Sequence, residues 1–212
     1  MKIALLIPIH SGAKPAFTEC LGNLIAATTR ADINVDGKKT VPEIETMVVS
    51  LSTISLARGA LFDRAARWGA DFALWMDSDH VFPRDALLRL LAHQKPVVGC
   101  NISQRQFEGS TAVAGGERVV PAAGLQQVDA NGLGLCLIDM RVLDKLKRHA
   151  EATATPLLPL FREVWAEGPK LMGEDFYFCN RLTAAGVPIF IDHDLSRQVG
   201  HIDETIRYLP RA

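Results

Sequence analysis

Asp77 and Asp79 stand two residues apart at the end of the apolar run Phe72-Ala73-Leu74-Trp75-Met76. In a strand that spacing aims both carboxylates to one side, and in a tight turn it can still let them converge. Like charges held close repel, so the pair is costly unless a cation lies between them. An oxygen-seeking divalent ion such as Mg²⁺ or Mn²⁺ is the natural candidate. An acidic turn capping a helix that begins near Pro83 accounts for the same residues. Glu174 and Asp175 form a second acidic pair, at a predicted helix start where negative charge gains roughly 0.3–1 kcal/mol, so capping explains them as readily as chemistry. His201, in Val199-Gly200-His201-Ile202, is a polar residue between apolar ones. A satisfied histidine is its simpler reading. Ser55 and Arg58 open a helix on the side of the sheet where an anion such as a diphosphate binds well, although an N-cap and a solvent-facing arginine explain them as simply.

The elements that must position these groups follow from the apolar pattern. Lys2 to Ile9 is a buried strand closed by Pro8, and Pro15 to Arg30 carries Phe17, Leu21, Leu24 and Ile25 at helical spacing. Ala31 to Lys39 is turn-rich and polar. Glu45 to Leu51 is a second strand, followed by a helix with Ser55 as N-cap and Gly69 as its stop. The run ending at Met76 is a third strand, Pro83 to His93 a helix, and Lys95 to Ile102 a fourth strand. This βαβαβαβ order with short links predicts an α/β fold with a mostly parallel central sheet flanked by helices. In the second half, residues 107–127 suggest short strands or a flexible hairpin region, and Leu135 to Ile138 is a strand. Arg141 to Ala150 is a helix, Thr153 to Pro169 a long loop, Gly173 to Ala185 a helix and Val187 to Ile191 a last short strand.

Composition narrows the function classes. The 212 residues support one substantial core, and one domain spanning 1–212 is the expectation. A net charge of −1 gives nothing in favour of a broad basic surface for nucleic acid or anionic lipid, while leaving room for a local basic groove. Cys20, Cys100, Cys136 and Cys179 lie scattered in apolar neighbourhoods without a CxxC, as small buried hydrophobes of a reducing compartment. No secretory signal or membrane span is legible, so a cytoplasmic protein is expected.

Taken in order, the motifs resemble those of GT-A type glycosyltransferases, in particular the large family 2-like group that includes inverting enzymes. The resemblance begins at Ile7-Pro8-Ile9, continues through Ser52 to Gly59, and reaches Met76-Asp77-Ser78-Asp79, which is similar to that family's DxD motif. It resumes at Gly132 to Asp139 and at Gly173-Glu174-Asp175, which is similar to its ED motif, and ends at Val199-Gly200-His201-Ile202. Gly59 departs from relatives that carry Asn after Arg. The resemblance implies a GT-A (Rossmann-like) fold with a small antiparallel part in the second half. It further implies a nucleotide-sugar-binding half over residues 1–104 and an acceptor and catalytic half over 105–212. Asp79 would ligate a Mn²⁺ or Mg²⁺ ion bridging the diphosphate of a nucleotide-sugar donor, a UDP-sugar first among them. Asp77 would contact the ribose or the metal shell, and His201 would add a metal ligand. Pro8 would border the nucleobase, Ser55 and Arg58 would lie near the donor, and Asp175 would be the general base with Glu174 beside it. Attack opposite the leaving group would invert the anomeric carbon.

The acceptor is open: a glycan, a protein, or a hydroxymethylated base of DNA. The last needs a basic groove, for which Arg64, Arg67, Arg105 and Arg118 are the loose candidates. A sugar-nucleotide pyrophosphorylase shares the sheet, but the Gly-rich loop it requires after the first strand is absent from His10-Ser11-Gly12-Ala13. A non-catalytic sugar-nucleotide binding module is the third alternative.

Overall fold

A computed structural model describes residues 1–9, 12–35, 37–103, 111–165, 171–202 and 206–207. The first half runs β1 (Lys2–Ile9), α1 (Pro15–Thr29), β2 (Ile33–Val35), β3 (Lys38–Thr40), β4 (Glu43–Ser50), α2 (Ile54–Trp68), β5 (Phe72–Met76), β6 (His80–Val81), α3 (Ala86–Ala92) and β7 (Val97–Gly99). The second half continues with β8 (Val113–Ala114), β9 (Glu117–Arg118), β10 (Leu125–Val128), β11 (Leu135–Asp139), α4 (Val142–Thr153), β12 (Val164–Trp165), β13 (Leu171–Met172), α5 (Glu174–Ala184), β14 (Ile189–Asp192), α6 (His193–Ser196), β15 (Gly200–Ile202) and β16 (Ile206–Arg207).

Seven strands form the central sheet in the order β10-β14-β7-β11-β5-β1-β4. β4, β1, β5, β7 and β14 share one direction, whereas β11 and β10 run against their neighbours. Both faces are covered, which is why the inner strands are near-continuous apolar runs rather than alternating, with Lys2, Asp139 and Asp192 only at their ends. Ala73 and Trp75 of β5 face a layer that includes Leu61 and Phe62 of α2, Leu146 of α4 and Phe178 of α5. Leu74 and Met76 face the opposite layer with Phe17 of α1 and Leu87 and Leu90 of α3. The C-terminal ends of β1, β4, β5 and β7 therefore emerge along one edge, between the two helical layers.

Several local expectations are corrected. The polar stretch after α1 is a β2–β3 hairpin, with Ile33 pairing Thr40. Thr53, not Ser55, occupies the N-cap of α2; Ser55 sits in the first turn, its hydroxyl 3.5 Å from that of Thr53. Gly69 ends that helix at φ 75°, the left-handed conformation that only glycine adopts without strain. Pro8 lies inside β1 opposite Val49, beyond the last β1–β5 pair, Leu6 with Trp75, so it interrupts no bond to the central neighbour. The helix expected from Pro83 begins at Ala86. Much of the expected 153–169 loop is anchored, because Phe161 enters an aromatic cluster with Phe62, Trp75 and Phe178, and β12 pairs with β13.

Candidate functional site

The acidic turn after β5 is held by three backbone bonds. Asp77 donates its N–H to the Gly134 carbonyl at 2.9 Å, Lys14 donates to Ser78 O at 3.1 Å, and Ile202 donates to Asp79 O at 2.7 Å. These fasten the turn to the start of β11, to the loop after β1 and to the C-terminal strand. Within this frame β6 pairs antiparallel with β15, which sets His80 directly opposite His201. Their rings stack with centroids 4.6 Å apart. Asp79 completes the group: its Oδ1 lies 3.2 Å from His80 Nδ1 and its Oδ2 3.3 Å from His201 Nε2. One donor atom from each of Asp79, His80 and His201 falls within 4.8 Å of the others.

The protonation states make this group fit a metal ion. His201 Nδ1 lies 3.1 Å from the Ser103 carbonyl, which can only accept, so Nδ1 carries the proton. In the neutral ring, Nε2 then directs its lone pair at the Asp79 carboxylate, an arrangement that a proton or a metal ion between them satisfies. Histidine ligands are commonly oriented by such a carbonyl. Burial pushes the His80 pKa down to about 4, so that ring is the neutral imidazole that ligation requires. Its buried Nδ1 has no hydrogen-bond partner, because its approach to Asp79 is misaligned for one. Two imidazoles and one carboxylate suit Mn²⁺, Fe²⁺ or Zn²⁺ better than Mg²⁺, which prefers oxygen.

A second charged group lies beside the first. Arg58, on α2, is only 3% exposed. Its Nη2 donates to Asp77 Oδ1 at 3.0 Å and its Nε to Glu174 Oε1 at 3.1 Å, while the guanidinium lies 5.1 Å from the centre of the Trp75 ring. Burial opposes its charge, yet Asp77, Glu174 and Asp175 outweigh that and raise its pKa. Arg58 thus ties the end of β5 to the first turn of α5. Among the described residues Asp175 forms no ion pair, although Arg58 is near enough to act on its charge. Burial first, and the neighbouring Glu174 second, push its pKa up to about 6, although the Phe176 N–H donates to it at 2.7 Å.

A cleft of about 180 Å³ joins the two groups, with Asp77, His80, Asp175 and His201 in its walls. Of the residues proposed from sequence, Asp79 and His201 meet, Asp175 shares the cleft wall with His201, and Glu174 is paired with Arg58. Asp77 is drawn to Arg58 instead of joining the Asp79 group. Arg58 itself is a buried ion-pair centre, not the solvent-facing residue that the simpler reading offered. Pro8 and Ser55 lie at the ends of β1 and α2, outside the cleft lining. His80 is not among the residues proposed from sequence. The only available signal was its place directly after Asp79, and the register that turns it toward His201 is not visible in sequence. Arg64 and Arg67 pair with Glu45 and Asp63, so they form no basic groove; Arg118 lies apart on β9, and Arg105 lies outside the described residues. A larger cleft of about 550 Å³ opens near Met1, Asp71 and Asp139, at the opposite edge of the sheet.

No family model matches the chain, and no curated protein matches it by sequence. Solved structures do resemble it. A197 from STIV is 17% identical with a TM-score of 0.64, over 100% of this chain and 96% of that one. GalNAc-T7 with UDP, GalNAc and Mn²⁺ is 11% identical with a TM-score of 0.56, over 96% of this chain and 44% of that one, so the present chain spans less than half its length. The catalytic domain of Drosophila beta1,4galactosyltransferase 7, in complex with xylobiose, is 13% identical with a TM-score of 0.52, over 99% of this chain and 71% of that one. Likeness at these identities is one of fold, and the chain has the α/β architecture of GT-A type glycosyltransferases, with its acidic turn at the C-terminal end of a central strand.

Proposed function

We propose that this protein is a metal-dependent glycosyltransferase that moves a sugar from a nucleoside-diphosphate sugar, a UDP-sugar first among them, to an acceptor hydroxyl with inversion. One observation carries the reading: Asp79, His80 and His201 converge within 4.8 Å on one side of a cleft whose wall also holds Asp175, a carboxylate with its pKa raised to about 6. Cleaving a sugar–phosphate bond leaves extra negative charge on the departing diphosphate, and a divalent ion supplies the stabilisation of that charge. In this chain Asp79, His80 and His201 would hold the ion, Mn²⁺ before Mg²⁺. Asp77, held in place by Arg58, faces the cleft where the ribose would lie, and Pro8 and Ser55 would border the donor.

The acceptor hydroxyl is a poor nucleophile at neutral pH, so a carboxylate must take its proton as the new bond forms. Asp175 is the base. Glu174, neutralised by Arg58, keeps it in position. The half of the chain from 1 to 104 would bind the donor, and 105–212 would bring the acceptor. No helix among the described residues is long and apolar enough to cross a membrane. The four free cysteines accord with a cytoplasmic setting.

A panel of nucleotide sugars with Mn²⁺, read by nucleotide release and by thermal shift, tests the reading. Release is expected with one donor, lost in excess EDTA and in Asp79→Ala while the variant stays folded. Full release by Asp79→Ala would overturn it.

A further inference from the structure

A further cleft, of about 520 Å³, lies along α5, lined by Tyr177, Asn180, Arg181 and Ala184, and shares no lining residue with the Asp175 cleft. That volume falls within the roughly 300–1,000 Å³ usual for small-molecule sites. Its walls are mostly apolar, with Leu158, Pro159, Val164 and Met172 among them, and two cations stand in this setting, Arg162 and Arg181. Both guanidiniums gather on Tyr177, at 5.3 and 6.0 Å from its ring centre. Arg181 donates to the Pro156 carbonyl at 2.8 Å and toward the Tyr177 hydroxyl at 3.4 Å. Among the described residues neither arginine meets a carboxylate. Arg58, Arg64, Arg67 and Arg197 each do. Among the described residues these two cations, sharing one ring beside an apolar cavity, have no carboxylate partner, and a bound anion would supply one through charge-assisted hydrogen bonds.

We infer that this cleft binds an organic anion with an apolar body, its carboxylate or phosphate head on Arg162 and Arg181 and its body against Leu158, Val164 and Met172. Because Met172 and Tyr177 flank the turn that carries Asp175, the bound anion would be the acceptor or its aglycone. That role rests on the transferase reading, whereas the binding does not.

Phenyl β-glucuronide and phenyl β-glucoside have the same body and differ in one carboxylate; phenyl phosphate supplies the other head. Calorimetric titration of the full chain, without donor, is expected to show an anion bound roughly tenfold tighter than the glucoside, the contribution of one charge-assisted hydrogen bond. The tighter of the two anions names the head. Arg162 is exposed and, among the described residues, makes no hydrogen bond or ion pair, so Arg162→Gln should weaken that preference with unchanged circular dichroism and thermal midpoint. Raising the salt to 0.5 M should weaken the preference. Anions bound no tighter than the glucoside, or a preference undiminished in Arg162→Gln, would overturn the inference. Donor turnover is scored separately: its absence alongside intact anion binding would fault the transferase reading alone.

Discussion

Asp175 carries the chemistry of the proposed reaction, and its environment sets a pH limit. Its carboxyl must be ionised to accept a proton, so turnover should fall about tenfold per pH unit below about 6, the value to which burial raises it. A pH–rate profile measures this, and a flat profile from pH 7 to 5 would remove Asp175 from the role. The same shift bears on stability with a definite sign. A carboxyl raised above its ordinary 3.8 favours the fold when protonated, a contribution fully present below 3.8 and lost as pH rises through about 6. Asp175→Asn should therefore lower kcat by roughly 10²–10⁴ yet leave the midpoint at neutral pH no lower than that of the natural protein. Arg58 behaves in the opposite way. Replacing it with Met leaves the half-buried Asp77 and Glu174 without their cation, which costs about 3 kcal/mol, the low end for breaking a buried pair because both acids keep some solvent. For a chain of this size that is a fall of roughly 10 °C in thermal midpoint. A midpoint within 2 °C of the natural protein would show that the two acids find solvent on their own.

At the scale of elements, the site depends on three segments meeting at one turn. β5 delivers Asp77 and Asp79, β6 and β15 put His80 opposite His201, and the residue before β11 decides how closely they approach. That residue is Gly134: an added Cβ would come within 2.8 Å of His80 Cε1 and 2.9 Å of Ile102 Cδ1. Gly134→Ala should thus turn the His80 ring away and weaken Mn²⁺ binding roughly 10–100-fold, the usual cost of disturbing a ligand's support, while the sheet stays intact. Mn²⁺ titration followed by paramagnetic resonance measures it, and unchanged affinity would exclude His80 as a ligand. The run Phe72 to Met76, the αL glycine after α2 and the acidic first turn of α5 were legible in sequence, because each is a local pattern. β6 and β15 were not. Strands of two and three residues carry no periodicity, and only their partners define them.

For the whole molecule, the candidate metal site joins residues 122 positions apart, Asp79 and His201, so a bound ion fastens the C-terminal strand to the centre of the sheet. Mn²⁺ at a hundredfold excess over its dissociation constant should stabilise the fold by about 2.7 kcal/mol, a rise of roughly 5–10 °C in midpoint. EDTA should reverse it, and Asp79→Ala should show no rise; a rise in that variant would place the ion elsewhere. The fold class was legible from sequence alone: apolar runs of strand length alternating with helical spacing leave few arrangements other than a covered, mostly parallel sheet. The motif order also marked Asp79, Asp175 and His201 as candidates, since residue type and spacing are properties of the chain. Tertiary structure alone decided which of these groups meet. Asp77 goes to Arg58 because a buried guanidinium must be neutralised, and His80 joins Asp79 because antiparallel pairing with β15 leaves its ring no other side. Charge neutralisation and strand register are contacts across long stretches of chain, and no local pattern in the sequence encodes them.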